Sequence, residues 1–364
     1  MEEKVITVPG KVLFYGGYSV LIPGHISLSL AVVDEQKKGV SAYWEDGEER
    51  IVSPQFNLDL RPFETEELVS YAYIVGKTYL KMHGEWKPIK IELENSPIFG
   101  SKEEKSGLGS SAAATVAVIK ALFKANGFDV ETHRETILKL SHLAYAWFSK
   151  KIGSGFDVTT AVMGQSVIYY RYDPTMVTLP EKNDTDDIKK AIEETINKPW
   201  KGIKIKPVSI PAGLLVFNIK GTSTSSISAV KAWKEWKKHN TETFNMLMKE
   251  QDEVERLAID ALLRGDFEKV REQTRKAREI HRKMQEGISK AVRSFEKVEP
   301  EELTMFIDKV EENVDGVIAG RCPGAGGKDS VAFLVEKQVV KTKDIEKIGK
   351  TLGLKLERIN VKII

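Results

Sequence analysis

The sequence predicts an α+β protein with two domains. In its first hundred residues, short runs rich in β-branched and aromatic residues lie between glycines, prolines and charged residues, a pattern typical of strands. The last part of the chain has the order helix, strand, strand, helix, strand, which indicates an antiparallel-rich sheet with helices packed on one face. A chain of 364 residues, 41% of them hydrophobic, is long enough to form two cores.

The elements of the first domain follow in order along the chain. The strand candidates are KVITV, KVLFYGGYSVL, SLSLAVV, GVSAYW, IKIEL and, later, QSVIYYRY. An apolar helix pattern runs from Ser110 to Asn126 and ends at Gly127, and ETHRETILKLSHLAYAWFSKK has apolar residues at helical spacing. NDTDDIKKAIEETINK predicts a capped polar helix before the Pro-Trp break at Pro199. We therefore assign residues 1–200 to the first domain.

The second domain, residues 201–364, opens with two strand candidates, KGIKIKPVSI and GLLVFNIK. Long charged helices are predicted between about Ser225 and Phe295. The domain ends with the helix, strand, strand, helix, strand order, in the segments ELTMFIDKVEENV, GVIAGRC, SVAFLVE, TKDIEKIGKTLG and LKLERINVKI.

The charge balance and the cysteine count exclude several classes of protein. The chain has 55 basic and 53 acidic residues and no dense basic block, so we do not expect nucleic acid as a partner. Cys322 is the only cysteine, which excludes an intrachain disulfide and a cysteine-rich zinc site and favours a reducing, cytoplasmic location. No apolar run approaches the roughly 18 residues of a membrane span, and the acidic N-terminus lacks a signal-peptide pattern, so we expect no membrane partner. The six histidines have no H-E-x-x-H spacing, and we interpret them as ordinary core or surface residues.

The stretch KSGLGSSAAATVAVIKALF, Lys105 to Phe123, joins a glycine-rich turn directly to an alanine-rich helix. The start of a helix leaves about four backbone N–H groups without intrahelical partners and carries about half a positive charge, so it attracts anions. Gly107 and Gly109 allow the backbone to wrap closely around a phosphate, and the alanines keep the first helical turns thin. Ser110 and Ser111 supply hydroxyl groups for phosphate or Mg²⁺. The stretch therefore predicts a phosphate-binding loop.

Two alternatives to a phosphate loop stay open at this point. Serine is a favoured N-cap residue, so the stretch also fits an ordinary capped helix. Gly107, Gly109 and Ala112 match the dinucleotide pattern G-x-G-x-x-A, and Asp129 lies twenty residues beyond Gly109. That pattern must follow a strand directly, whereas the preceding FGSKEEKS is charged and turn-like. The Walker pattern G-x-x-x-x-G-K-[ST] is absent from the sequence.

Two further stretches of the chain carry glycine pairs. PGKVLFYGGYSVLIPG places Lys11 after a Pro-Gly turn and Tyr18 after a Gly-Gly pair. GRCPGAGGKDSVAFL places Gly324, Gly326 and Gly327 between two predicted strands. Each stretch alone is only a turn signal. Three such stretches in this order form a specific constellation.

Together the three stretches resemble the three motifs of the GHMP kinase superfamily, and the resemblance covers essentially the whole chain. It implies a fold with an N-terminal domain like ribosomal protein S5 domain 2 and a ferredoxin-like C-terminal domain. It also implies a role for each stretch. Lys11 corresponds to a substrate-side lysine, Gly107 to Ser111 to the loop that holds the ATP phosphates, and Gly324 to Gly327 to a loop that supports the active site.

One segment points to a branch of the superfamily. KIGSGFDVTTAVMGQSVIYYR looks like the segment that bears the catalytic aspartate in the phosphomevalonate kinases, which implies this role for Asp157. Lys105 and the hydroxyl-rich KGTSTSSISAVKAW also look like features of that branch. A simple helix-capping role for Asp157 is the alternative. The superfamily usually has G-E-Y or G-E-H where this chain has Gly16, Gly17 and Tyr18, so the glutamate that usually contacts the acceptor is missing here.

The resemblance implies an enzyme that transfers a phosphoryl group from ATP to 5-phosphomevalonate in the mevalonate pathway of isoprenoid biosynthesis. It implies Mg²⁺ as cofactor and a monomer or a homodimer. The implied catalytic residues are Lys11 and Asp157. The implied ATP-binding residues are Lys105, Ser106, Gly107, Leu108, Gly109, Ser110, Ser111 and Ala112, with Ser111 also on the metal, and Asn95 and Ser96, just upstream of the loop, are candidates for the adenine pocket. The implied substrate-binding residues are Lys11, Tyr18, Ser154, Gly155, Asp157, Lys220, Thr222, Ser223 and Gly326.

Both reactants of such a transfer are anionic, so cations must offset their repulsion. The candidates are Lys11, Lys105, Lys220 and Mg²⁺, followed by Arg171 and Arg321. Other function classes stay open. A mevalonate kinase or another small-molecule kinase of the superfamily is the first alternative. A non-catalytic metabolite sensor of the same fold and a nicotinamide oxidoreductase are the others.

Overall fold

The computed structural model describes residues 4–100, 106–220, 226–292, 295, 297–337 and 340–364. The chain divides into two compact units. The first unit comprises the chain up to Lys11, Leu30–Pro207 and Ile364, and the second comprises Val12–Ser29 and Val208–Ile363. The division of the chain at residue 200 stays a prediction, because the segment Val12–Ser29 belongs to the second unit although it lies early in the chain.

The first unit contains a five-stranded sheet. Its strands are β1 Val5–Val8, β4 Val40–Asp46, β5 Arg50–Ser53, β6 Leu58–Leu60 and β7 Ile89–Asn95. They lie in the order β1-β4-β7-β5-β6. Neighbouring strands are antiparallel except β5 and β7, which are parallel. In β7, alternate residues are buried, as expected for a sheet that is covered on one face.

Five helices of the first unit pack on this sheet or on one another. They are α1 Leu68–His83, α2 Ser110–Ala125, α3 Arg134–Ser149, α4 Phe156–Met163 and α5 Thr185–Ile196. Helix α2 packs on β1, β4 and β7 and also touches α1, α3 and α4. It is therefore the central helix of the first unit.

The structure confirms two helix ends that the sequence predicts. Helix α2 ends with Asn126 as its C-cap, and Gly127 follows at a φ of +81°. At the start of α5, the carboxylate of Asp184 accepts a hydrogen bond from the Asp187 N–H at 2.9 Å. Both ends use local chemistry, which is why the sequence alone locates them.

Helix α1 is absent from the sequence-based prediction. Its sequence, LVSYAYIVGKTYLKMH, is rich in β-branched and aromatic residues, which have modest helix propensity. Packing decides its conformation. A Cβ atom on Gly76 would lie 2.7 Å from the Cδ1 atom of Leu122, so the glycine lets α1 approach α2 closely.

A third group of strands carries the first glycine-bearing stretch. Strands β8 Val167–Tyr170 and β9 Lys204–Pro207 pair antiparallel. Strand β3 Ile26–Val33 lies beside β8, and β2 Gly10–Tyr15 pairs with β3. The division between the two units falls within β2 and β3. Lys11 thus lies near the start of β2, at the end of the first segment of the first unit.

The second unit contains a four-stranded antiparallel sheet. Its strands are β10 Gly213–Ile219, β11 Val317–Arg321, β12 Ser330–Val335 and β13 Leu356–Ile359, in the order β11-β12-β10-β13, and β14 Lys362–Ile363 follows β13 in the chain. Helices α9 Glu301–Asn313 and α10 Thr342–Thr351 contribute Phe306, Ile307 and Ile345 to the apolar core on this sheet. The chain order α9, β11, β12, α10, β13 confirms the predicted helix, strand, strand, helix, strand order.

The long charged region of the second unit forms three helices in the described part of the chain. They are α6 Ser226–His239, α7 Thr241–Arg264 and α8 Phe267–Ala291. Their apolar faces enclose a cluster that includes Trp233, Phe244 and Met284, together with Tyr18 from the segment Val12–Ser29. Among the helices that the structure describes, none has the length and hydropathy to cross a membrane.

Candidate active site

The glycine-rich stretch folds as a turn that leads directly into α2. Gly107 and Gly109 have φ values of +74° and +83°, a region that disfavours residues with a side chain. Gly109 is the N-cap residue, and Ser110 is the first residue of the helix. The helical hydrogen bonds begin where the Ala113 N–H donates to the Gly109 carbonyl at 3.1 Å. The interpretation of the serines as helix caps is therefore wrong, and the first N–H groups of α2 lie at its open end.

Apolar side chains of this turn and of the first turn of α2 are buried in the protein. Leu108, Ala112 and Ala113 are buried, whereas the side chains of Ser110 and Ser111 are only partly buried. The turn thus presents backbone N–H groups and two hydroxyl groups, the chemistry that the sequence predicts for a phosphate-binding loop.

Lys11 lies directly on this turn. Its backbone N–H donates to the Leu108 carbonyl at 2.7 Å, and its Nζ donates to the Gly107 carbonyl at 2.8 Å. A Cβ atom on Gly109 would lie 2.9 Å from Cε of Lys11, so the absence of a side chain at Gly109 makes room for the lysine stem. Strand β2 therefore brings the first predicted motif onto the second.

Two neighbours set the electrostatics of the Lys11 amine. The ammonium lies 5.5 Å from the centroid of the Phe156 ring. Burial lowers the pKa of Lys11, and the negative charge of Asp157 opposes that change. The structure thus brings Lys11 and Asp157, the two predicted catalytic residues, into electrostatic contact.

Asp157 lies in the first turn of α4, one residue after Phe156. Its carboxylate accepts a hydrogen bond from the Val158 N–H at 2.9 Å. The N-cap residue of α4 is Gly155, which has a φ of +80°. This bond reaches the next residue, whereas a capping side chain accepts from the N–H two or three residues further on, and Asp157 does not occupy the cap position.

The turn before α4 is fixed by buried side chains of the first unit. A Cβ atom on Gly155 would lie 2.4 Å from Cε1 of His142, so no side chain fits there. The Tyr169 hydroxyl donates to the Ser154 carbonyl at 2.8 Å, and the Arg171 guanidinium donates to the Gly153 carbonyl at 2.8 Å. Arg171, a candidate cation for the substrates, thus braces the turn that positions Asp157.

In the second unit, the first and third glycine-bearing stretches lie together. The Gly324 N–H donates to the Leu13 carbonyl at 3.0 Å, and the Tyr18 hydroxyl donates to the Ala325 carbonyl at 3.1 Å. Tyr18 is buried and stacks on Trp233 with 5.8 Å between ring centroids. A Cβ atom on Gly326 would lie 2.2 Å from the Val298 carbonyl oxygen, so only glycine fits there.

A buried ion pair holds the Gly16 turn in place, and the sequence analysis missed its acidic partner. The Gly16 N–H donates to Oε2 of Glu255 at 2.8 Å, and Arg321 donates to Oε1 of the same carboxylate at 3.0 Å. Glu255 is fully buried, and burial raises its pKa while the charge of Arg321 opposes that rise. No local pattern marks Glu255, because it lies within a charged helix and 239 positions from Gly16.

Residues 67–165 match the family model described as the GHMP kinases N terminal domain. This range includes the phosphate-loop turn, α2 and Asp157. The chain carries a GHMP kinase N-terminal domain.

The likeness extends beyond that domain. The phosphomevalonate kinase of Candida albicans is 26% identical, over 93% of this chain and 90% of its own length. The phosphomevalonate kinase of Saccharolobus solfataricus is 27% identical, over 90% of this chain and 89% of its own length. The solved structure of Streptococcus pneumoniae phosphomevalonate kinase, in complex with phosphomevalonate and AMPPNP, matches with a TM-score of 0.74 and 20% identity over 99% of both chains. The whole chain therefore has the GHMP kinase fold.

The two candidates for the adenine pocket, Asn95 and Ser96, form hydrogen bonds with other residues of the first unit. The Asn95 N–H donates to Gln55 at 2.9 Å, and the Ser96 hydroxyl donates to Asp34 at 2.6 Å. Both residues are buried at the end of β7. Ser106, in the loop itself, donates its N–H to the Phe99 carbonyl at 3.2 Å. The adenine-binding role of Asn95 and Ser96 stays a prediction.

The remaining predicted residues lie at the surface or outside the described ranges. The Lys220 ammonium lies 3.3 Å from a carboxylate oxygen of Glu357, and both side chains are about half exposed. Lys105, Thr222 and Ser223 lie outside the described residues. Their roles stay predictions.

The side chains of the described residues do not form a protein-only metal centre. Within those residues, no group of three or more His, Cys, Asp or Glu side chains is placed to hold a metal ion. This donor set fits Mg²⁺ that arrives with a nucleotide, because Mg²⁺ usually binds through one or two protein oxygens, phosphate oxygens and water. The role of the Ser111 hydroxyl as one of these protein oxygens stays a prediction.

Proposed function

We propose that this chain transfers the γ-phosphoryl group of ATP to the phosphate group of 5-phosphomevalonate, giving 5-diphosphomevalonate and ADP. The observation that carries the proposal is the position of Lys11, whose amine lies on the phosphate-loop turn and in electrostatic contact with Asp157. The relatives that match the chain over nine-tenths of its length are named phosphomevalonate kinases, which supports this acceptor.

We assign the ATP phosphates to the open end of α2. The N–H groups at that end and the positive end of the helix dipole favour an anion, and Gly107 and Gly109 allow close approach of the backbone. The Ser111 hydroxyl would bind Mg²⁺ there. Bound Mg²⁺ would offset the negative charge of the phosphates, and the residues of the chain supply the positioning.

We assign Lys11 to the acceptor phosphate and Asp157 to the charge state of Lys11. A phosphate monoester has its second pKa near 6, so at pH 7 most acceptor molecules already carry the nucleophilic oxygen as an anion. Such an acceptor needs little proton removal. Asp157 therefore acts mainly by keeping the partly buried Lys11 amine protonated and oriented, and the ammonium offsets the repulsion between the two phosphate groups.

The proposal is tested by measuring ADP release with Mg²⁺ and four acceptors: 5-phosphomevalonate, mevalonate, homoserine and galactose. We expect turnover with 5-phosphomevalonate and weak turnover, at most, with the others. Comparable turnover of unphosphorylated mevalonate would overturn the acceptor assignment in favour of a mevalonate kinase.

A Lys11→Met variant is the matched control for this assay. It removes the ammonium and keeps a side chain of similar length, so it should lose most of the activity while its circular dichroism stays that of the wild type. ADP release that persists in this variant only when 5-phosphomevalonate is present would contradict the role of Lys11, whereas release that needs no acceptor would indicate a contaminating ATPase.

A further inference from the structure

A lysine in the middle of α2 holds the end of α4. Lys120 lies ten residues after Ser110, the first residue of α2, and its side chain is partly buried. Its Nζ donates a hydrogen bond to the Val162 carbonyl at 2.8 Å. Val162 lies in the last turn of α4, where carbonyl groups lack intrahelical partners. Lys120 therefore satisfies one of these carbonyls, and its positive charge lies at the negative end of that helix.

The surroundings of Lys120 disfavour a charged amine. Burial, together with the positive charge of Arg134, lowers the pKa of Lys120 to about 8. An unbranched apolar side chain of similar length would fill the same space without this cost. The hydrogen bond to the Val162 carbonyl is the interaction that offsets the cost, so the lysine serves α4 rather than the packing of α2.

Helix α4 is short and depends on contacts at both of its ends. It has eight residues, and isolated helices of fewer than about 12–15 residues are marginal in water. Its first turn carries Asp157, and that end is fixed by the turn at Gly155, which lies against His142. Val162 lies five residues after Asp157, about 7.5 Å along the helix axis. The contact between Lys120 and Val162 therefore fixes the second end of the helix that carries Asp157.

We propose that Lys120 is a positioning residue that sets the distance between Asp157 and the phosphate-loop turn. This inference rests on the proposed function. Lys11 lies on the turn from which α2 begins, so the bond from Lys120 joins the helix that carries Asp157 to the helix whose leading turn holds Lys11. Lys120 lies about 15 Å along α2 from Ser110, so it acts through α4 and not on the substrates.

The test compares two lysines of the first unit, each of which donates to the end of a helix, in the full-length chain. Lys120→Met removes the ammonium and keeps a side chain of similar length. We expect kcat to fall about 10- to 100-fold, because a displacement of about 1 Å in a reacting geometry has an effect of this size. The KM for ATP should change less than about twofold, because the open end of α2 is unaltered.

Lys139→Met is the matched control. Lys139 on α3 is buried and donates to the Ile196 and Lys198 carbonyls at 2.9 and 3.1 Å, at the end of α5, a helix without predicted site residues. We expect this variant to lower the melting temperature, as Lys120→Met does, and to change kcat less than about twofold. Equal losses of kcat in the two variants would show a general effect of destabilisation and overturn the inference.

Hydrogen exchange separates this inference from the proposed function, because it needs no substrate. In Lys120→Met, the amides of α4 should exchange about tenfold faster than in the wild type, the effect of losing a hydrogen bond to a charged group, whereas Lys139→Met should leave their exchange unchanged. Unaltered exchange in α4, or an unaltered kcat in a folded Lys120→Met variant, overturns the role of Lys120 and leaves the kinase assignment standing. A wild-type chain that does not phosphorylate 5-phosphomevalonate overturns the proposed function and the catalytic consequence together, while the exchange rates of α4 still decide whether Lys120 fixes this helix.

Discussion

Two opposing influences set the pKa of Lys11. Burial of its stem against the phosphate-loop turn lowers the pKa, and the carboxylate of Asp157 raises it again. If Lys11 acts as a cation, activity is present at low pH and is lost as the pH rises through the pKa of this amine. The carboxylate therefore determines how far into the alkaline range the enzyme works.

Asp157→Asn should shift the alkaline limb of the pH profile to lower pH. The substitution removes the negative charge that raises the Lys11 pKa and keeps the size and polarity of the side chain, so the amine loses its proton earlier. The measurement is kcat against pH from 6.5 to 9.5 with saturating 5-phosphomevalonate and ATP. Residual activity in the variant should fall with rising pH.

Lys11→Arg is the control for this experiment, because a guanidinium stays charged throughout the range. Any activity that this variant retains should lack the alkaline limb. General-base catalysis by Asp157 predicts the opposite sign for Asp157→Asn, since hydroxide would then replace the missing base. A tenfold rise in kcat per pH unit would therefore show that Asp157 removes a proton from the acceptor.

Some residues of the site could be predicted from sequence, and others could not. Lys11, the loop glycines and Asp157 lie in contiguous stretches whose local chemistry has a recognisable form. Glu255 lies within a long charged helix, where acidic residues are ordinarily exposed. Only the packing of α7 against the Gly16 turn buries it, and no local pattern records that packing.

At the scale of elements, the turn before α2 allows a test with a matched pair of glycines. Gly107 and Gly109 share a left-handed backbone, so alanine at either position should destabilise the chain by about 1–2 kcal/mol. Their surroundings differ. A Cβ atom on Gly109 would press on the stem of Lys11 at 2.9 Å, whereas one on Gly107 would meet no atom within 4 Å.

Gly109→Ala should therefore reduce kcat much more than Gly107→Ala, although both lower the melting temperature by a similar amount. In Gly109→Ala, the new methyl group displaces Lys11 from the Gly107 carbonyl. In Gly107→Ala, the backbone is strained but Lys11 keeps its position. Steady-state kinetics and calorimetry on both variants make the comparison. Equal losses of kcat would mean that loop strain, and not the position of Lys11, limits catalysis.

Helix ends and helix interiors differ in how well sequence predicts them. The end of α2 at Gly127 and the start of α5 at Asp184 depend on one or two residues with specific backbone or side-chain chemistry. The interior of α1 depends on contact with α2 at Gly76, more than forty positions away from Leu122 in the sequence. Its β-branched and aromatic residues by themselves favour a strand, and the contact with α2 is not visible in the local sequence.

At the scale of the whole molecule, the sequence did not predict that the early segment Val12–Ser29 belongs to the second compact unit. The segment belongs to the strand-rich first part of the chain by composition. Its contacts within the second unit decide its place. Gly16 binds Glu255, Ile26 binds Asp252 through its N–H at 2.7 Å, and Tyr15 pairs its hydroxyl with Thr274 at 2.6 Å.

The second unit should therefore fail to fold from Val208–Ile363 alone. Without Val12–Ser29, the Glu255 carboxylate loses its Gly16 partner, and Tyr18 leaves the apolar cluster around Trp233. We expect this fragment to bind a hydrophobic dye and to melt without a cooperative heat-absorption peak. Joining Val12–Ser29 to its N-terminus through a flexible glycine-serine linker should restore a single cooperative transition. The same fusion with Tyr18→Ala should unfold at a lower temperature. A cooperative transition in the unfused fragment would show that the helices and sheet of Val208–Ile363 form a core without Val12–Ser29.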